Sequence, residues 1–186
     1  MAKPEEHIAQ AKRNLIFLSS INKSIKDCYD WQVTVCFYSA LHLVNAHLSN
    51  YGLQYRKHKD VNNALNFSNA TSPARLPEDE YICYTALQSL SRRSRYLVNE
   101  NDGKLGSMTA AITYDKHFAR ALRHLDKLTL HFCTLLKVQI DPVDIVCIEI
   151  KHPVELLRQL WRIRKNYGND TNNSRADFFN LEWSRQ

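Results

Sequence analysis

DWQVTVCFYSALHLVNAHLSNYGLQYRKH, the stretch from Asp30 to His58, sets the architecture of this chain. Val33, Phe37, Leu41, Val44 and Leu48 recur at steps of four, four, three and four, the spacing of one helical face. Trp31, Val35, Tyr38 and His42 make a second stripe beside it, so the spacing predicts a central helix packed on more than one side. Asp30 is suited to cap its start and Gly52 to end it, which places the helix at Trp31–Tyr51. His42 then sits inside the packed region, and His58 follows the helix end with Arg56 beside it.

Helical spacing continues on both sides. Pro4, Glu5 and Glu6 open a helix reaching Asn22, with Ile8, Ala11, Leu15 and Leu18 in register. A short helix at Lys59–Phe67 precedes a polar loop. Pro77, Glu78, Asp79 and Glu80 start a further helix that ends in the basic run Ser91–Tyr96. Phe118, Leu122, Leu125, Leu128 and Phe132 mark a fifth helix over Thr113–Lys137. With only 4 Gly and 5 Pro in 186 residues, turn signals are too sparse for an all-β fold, so the class is mainly α. The expected architecture is an up-and-down bundle of four to five helices over residues 1–138. Residues 139–186 then form a C-terminal extension. In it, Val143–Ile150 reads as a short strand, Pro153–Tyr167 as one more, basic helix, and the rest as a tail ending in Phe178, Phe179, Leu181 and Trp183.

Lys plus Arg outnumber Asp plus Glu by 25 to 19, a formal charge of +6 that mildly favours polyanionic partners. The five cysteines include no C-x-x-C pair, and most lie in apolar runs. They read as small core residues rather than a disulfide framework or zinc site. No apolar leader and no 18-residue apolar run is present, so the expectation is a cytoplasmic protein with no membrane contact. The sequence has no P-loop, G-x-G-x-x-G, H-E-x-x-H or G-x-S-x-G, and its carboxylates are scattered. Any enzymatic chemistry would fall to His, Arg and Tyr, with neither metal nor cofactor expected.

His42 is either an acid/base or phosphate ligand or a core histidine held by a hydroxyl or carbonyl. His58 is either a site residue or a capping residue in a basic loop. Tyr84, Gln88, Ser91 and Arg95 share one helical face that can turn inward, making Arg95 beside Tyr96 a candidate phosphate clamp. The alternative is a solvated basic turn, favoured by the helix dipole. Arg56 and Arg92 belong to the same basic surroundings. Arg158, Arg162 and Lys165 stand at i, i+4 and i+7 of the last expected helix, either a phosphate track or a solvated face.

The run W-Q-V-T-V-C-F-Y-S-A-L-H-L-V-N-A-H-L, with His58 after it, Tyr84 to Leu87, and S-R-R-S-R-Y at Ser91–Tyr96, resembles the prokaryotic branch of the HEPN domains. The resemblance covers about Lys12 to Lys137. It implies a helical bundle, commonly a homodimer, recognising RNA or nucleotide in toxin–antitoxin, defence or RNA-processing settings. Active members are metal-independent endoribonucleases with Arg, four to six residues, then His. That motif is absent: Arg123 to His131 is too long and Arg56 to His58 too short. Three readings therefore stand: a HEPN-like binder of nucleic acid or nucleotide, a metal-independent endoribonuclease drawing on His58, His42, Arg95 and Tyr96, and a structural subunit docking a protein partner through its C-terminal tail.

Overall fold

A computed structural model of the chain describes residues 2–96, 112–150 and 161–164, the last three by backbone alone. Five helices run in order: α1 (Pro4–Ser24), α2 (Tyr29–Asn50), α3 (His58–Leu65), α4 (Glu78–Tyr96) and α5 (Asp115–Leu136). Two strands follow, β1 (Val143–Val146) and β2 (Trp161–Arg164). The bundle is mainly α, as its helical spacings predict. Central α2 packs against α1, α4 and α5, and α4 packs against α5.

Local chemistry explains the helix ends. In α1, Glu6 reaches back to accept the Lys3 backbone N–H at 2.7 Å, and Pro4 occupies the first turn, where its missing N–H costs nothing. Asp30 lies in the first turn of α2 rather than capping it; Cys28 holds the cap position. The far end of α2 does stop at Gly52. Its φ of +70° is left-handed, and the Gly52 and Leu53 N–H groups return to the carbonyls of Ser49 and Leu48, closing a Schellman turn.

The two stripes of α2 fare differently. Val33, Phe37, Val44 and Leu48 are buried, with Leu41 partly so. Of the second stripe only Val35 is buried; Trp31 is 60% and Tyr38 37% exposed. The second packed face lies on the opposite flank, along Gln32, Cys36, Ala40, Leu43 and His47. The polar members of that flank find partners for part of their polar groups, while Gln32 Nε2 stays unpaired among the described residues. The Nε2 of His47 meets the Ala74 carbonyl at 3.1 Å, and Gln32 Oε1 accepts from Asn22 at 3.1 Å. On α2 it is His47, not His42, that is buried in the core.

The C-terminal extension shares this core. Ile145, Cys147, Ile150 and Trp161 join the same cluster as Phe37 and Leu122. The strand expected near Val143 is present and pairs in parallel with β2, Val143 opposite Trp161 and Val146 opposite Arg164. That pairing corrects the expected helix over residues 153–167 at its centre, because residues 161–164 are strand. The basic face through Arg158, Arg162 and Lys165 needs helix throughout, so Arg162 does not sit on such a face; Arg158 and Lys165 lie outside the described residues. The aromatic-ended tail lies outside them too.

Candidate functional site

Three elements converge where the C-terminal end of α4 meets α2 and the start of α3. The inward face of α4 carries Tyr84, Gln88 and Ser91, all buried, and ends in half-buried Arg95. Arg95 is fixed from several sides. Its Nε donates to the Ser91 carbonyl at 3.3 Å and its Nη1 to the Tyr38 hydroxyl at 3.2 Å. Its guanidinium carbon lies 5.7 Å from the centre of the Tyr38 ring and 5.3 Å from that of Tyr96, within cation–π range of both. A guanidinium placed this way keeps donors for an incoming anion while losing little rotamer freedom.

His58 enters as the first residue of α3. Its ring lies 5.5 Å from that of Phe37, which also contacts Tyr38 at 5.5 Å and Tyr84 at 6.0 Å. Burial lowers the pKa of His58 first, and the positive fields of Arg95 and Arg92 lower it further. Both effects oppose a positive charge on the imidazole, although the residue itself is largely exposed. Arg92 and Arg56 are exposed, Arg92 on the turn before Arg95 and Arg56 two residues before His58.

His42 is elsewhere. Its Nδ1 stands 3.2 Å from the Nδ1 of His7 on α1, with the rings tilted at 5.5 Å. Desolvation, then His7 and Arg13, depress its pKa. The structure thus brings together His58, Arg92, Arg95 and Tyr96 and sets His42 apart. Tyr38 is the partner that sequence reasoning misses, because helical spacing puts its stripe on the packed side. Its one-turn offset from His42 holds no hint of α4.

Beneath Arg95 lies an unusual row. Tyr84 Oη, Gln88 Nε2, Ser91 Oγ and, from α3, Asn62 Oδ1 are buried and have no hydrogen-bond partner among the described residues. Such an atom costs about 1–3 kcal/mol, so a row of four is a substantial local penalty. A separate groove at the opposite end of α4, lined by Glu80, Arg123, Asp126, Lys127 and His131, has mixed charge and does not adjoin these residues. Among the described residues no three His, Cys, Asp or Glu side chains gather as metal ligands. Burial raises the thiols of Cys36 and Cys147, the latter to about 11, so both are inert core groups near neutral pH. No described helix is long and apolar enough to cross a membrane.

Comparison of the chain with protein-family models, curated proteins and solved structures finds no match.

Proposed function

We propose that this chain binds RNA or a nucleotide through its phosphate, at the Arg95, His58, Tyr38 and Tyr96 cluster, in the manner of a HEPN-like binding protein. The observation that carries the reading is Arg95, half-buried and held between two tyrosine rings, with His58 entering from another helix against Phe37, the ring that also touches Tyr38. Guanidinium offers a planar fork to phosphate oxygens, and the neighbouring rings offer faces on which bases stack. The chain's net charge of +6 adds weak long-range attraction to the same class of partner.

The test is filter binding to single-stranded RNA across a salt series. Affinity should fall with salt, and Arg95→Ala should flatten the log–log slope by about 0.7 for each phosphate it no longer neutralises. Salt-independent binding, or an unchanged slope in Arg95→Ala, would refute the proposal. The lowered pKa of His58 also favours a second reading, a metal-independent ribonuclease: His58 takes the ribose 2′-OH proton as the 2′-oxygen bonds to phosphorus, Arg95 stabilises the phosphorane, and the P–O5′ bond breaks with the 5′-oxygen taking a proton from water. The same RNA incubated with EDTA separates the two: cleavage that disappears in His58→Ala supports the nuclease, and intact RNA leaves the binder.

A further inference from the structure

The inward face of α4 does more than lead to Arg95. Tyr84, Gln88, Ser91 and Arg95 stand four, three and four residues apart, on one helical stripe. The first three are 0%, 8% and 0% exposed, and each carries an unpartnered polar atom. Asn62 donates through Nδ2 to Gln88 Oε1 at 2.8 Å, which leaves its own Oδ1 unpaired. Exchanging O and N in both amides would change which atom is unpaired, not the fact of it. Phe37 joins the two ends of the row, touching Tyr84 below and His58 and Tyr38 at the mouth.

Native chains rarely leave buried polar side chains unpaired, and here four such atoms belong to residues of the α4 stripe that ends in Arg95 and to the α3 residue bonded to it. The row offers two hydroxyls, an amide N–H and an amide oxygen. Phosphate alone cannot match it, since a dianion only accepts and would leave the oxygen unpaired. A nucleobase edge carries donors and acceptors side by side, and its flat faces suit the Phe37, Tyr84 and His58 rings. Resting on the phosphate-binding proposal above, we infer that Tyr84, Gln88, Ser91 and Asn62 read the base of a nucleotide whose phosphate lies on Arg95. Access requires α3 to shift at its N-terminal half, where Val61 is the buried apolar contact and the Asn62–Gln88 bond is the tie to α4; its C-terminal end stays anchored by Ala64, Leu65 and the Leu76 N–H bond to the Leu65 carbonyl.

Equilibrium binding of the four 5′-nucleoside monophosphates and of ribose 5-phosphate tests this, using the full chain and its Tyr84→Phe, Ser91→Ala and Arg95→Ala variants. The native chain should prefer at least one nucleotide over ribose 5-phosphate by roughly tenfold, the worth of one or two good hydrogen bonds. Tyr84→Phe and Ser91→Ala should each bring that nucleotide several-fold closer to the ribose 5-phosphate level without lowering the melting temperature, since each removes an unpaired hydroxyl. Arg95→Ala should weaken all five ligands. Equal binding of all five by the native chain overturns base reading and leaves the phosphate site standing, and a preference surviving intact in both hydroxyl variants also overturns it. If none of the five binds, both proposals fall.

Discussion

Asn22 holds the C-terminal extension to the bundle, and its removal should be among the costliest single changes in the chain. The side chain is fully buried on α1. Its Nδ2 donates to the Val146 carbonyl at 3.0 Å and to Gln32 Oε1 at 3.1 Å, while its Oδ1 accepts the Val146 N–H at 2.7 Å. Three residues earlier, Ser19 donates to the Asp144 carbonyl at 2.7 Å. Asp144 and Val146 are two apart, so their backbone groups point to the same side of β1, and α1 side chains stand in for a neighbouring strand there. Asn22→Ala deletes three hydrogen bonds, each with a net worth of about 1 kcal/mol, and strands two buried backbone groups, each costing about 1–3 kcal/mol. These contributions overlap, which gives an expected loss of roughly 3–5 kcal/mol. At about 2–4 °C per kcal/mol for a chain of this size, the melting temperature should drop by on the order of 10 °C. Urea denaturation read by both far-UV circular dichroism and tryptophan fluorescence measures it. Asn22→Asp keeps the acceptor but loses both donated bonds at neutral pH. Its new carboxyl would be raised in pKa by burial, so that variant should recover stability as pH falls and the carboxyl regains a proton to donate. A loss below about 1 kcal/mol in Asn22→Ala would show that Val146 finds other partners and that Asn22 does not hold β1 to the bundle.

Two further predictions concern the bundle itself. All seven described histidines have pKa values lowered below 6.5, with burial the leading cause in each. The unfolded chain therefore takes up protons before the folded one, so stability should be full above pH 6.5 and fall as pH drops through the folded values. Denaturant midpoints from pH 7.5 to 5 check the sign, and a midpoint that rises on acidification would contradict it. The losses should be concentrated where a ring nitrogen must accept a hydrogen bond: His117, which accepts the Tyr114 N–H at 3.0 Å, and the His7–His42 pair. Separately, Gly52→Ala should cost about 1 kcal/mol, because the left-handed backbone penalises a Cβ although no atom lies within 4 Å of it. An unchanged denaturation midpoint would mean the turn relaxes out of that conformation.

The helices legible in the sequence are those whose ends carry their own chemistry. Gly52 terminates α2 and the acidic run after Pro77 opens α4 without help from distant residues. Spacing misleads where partners far along the chain decide. Nothing local says that Gln32 and His47 face inward while Trp31 and Tyr38 face out. Burial of the former depends on Asn22 and on the Ala74 carbonyl, 10 and 27 residues away. Residues 161–164, W-R-I-R, fit two periods, helical when Arg162 is counted with Arg158 and Lys165, and strand through the alternation of Arg162 and Arg164 with Trp161 and Ile163. Pairing with Val143–Val146 selects the strand, as tertiary context commonly does for short segments.

For the site, spacing reaches Arg95 but not its surroundings. The stripe through Tyr84, Gln88 and Ser91 predicts an inward turn, and those residues are buried. That His58 belongs with Arg95 and His42 does not is decided only by packing, and the difference matters chemically. Burial depresses both imidazoles, but their neighbours differ. His42 faces a second imidazole, so a proton gained there can be shared across a 3.2 Å contact within the protein. His58 faces two arginines, whose fields oppose a further positive charge. An anion seated on Arg95 would cancel that opposition and raise the affinity of His58 for a proton, adding a second charge-assisted bond to the same anion. Occupancy of the site and protonation of His58 are in that case coupled through the position of one guanidinium. This is why Arg95, rather than either histidine, is the residue on which the proposed function depends.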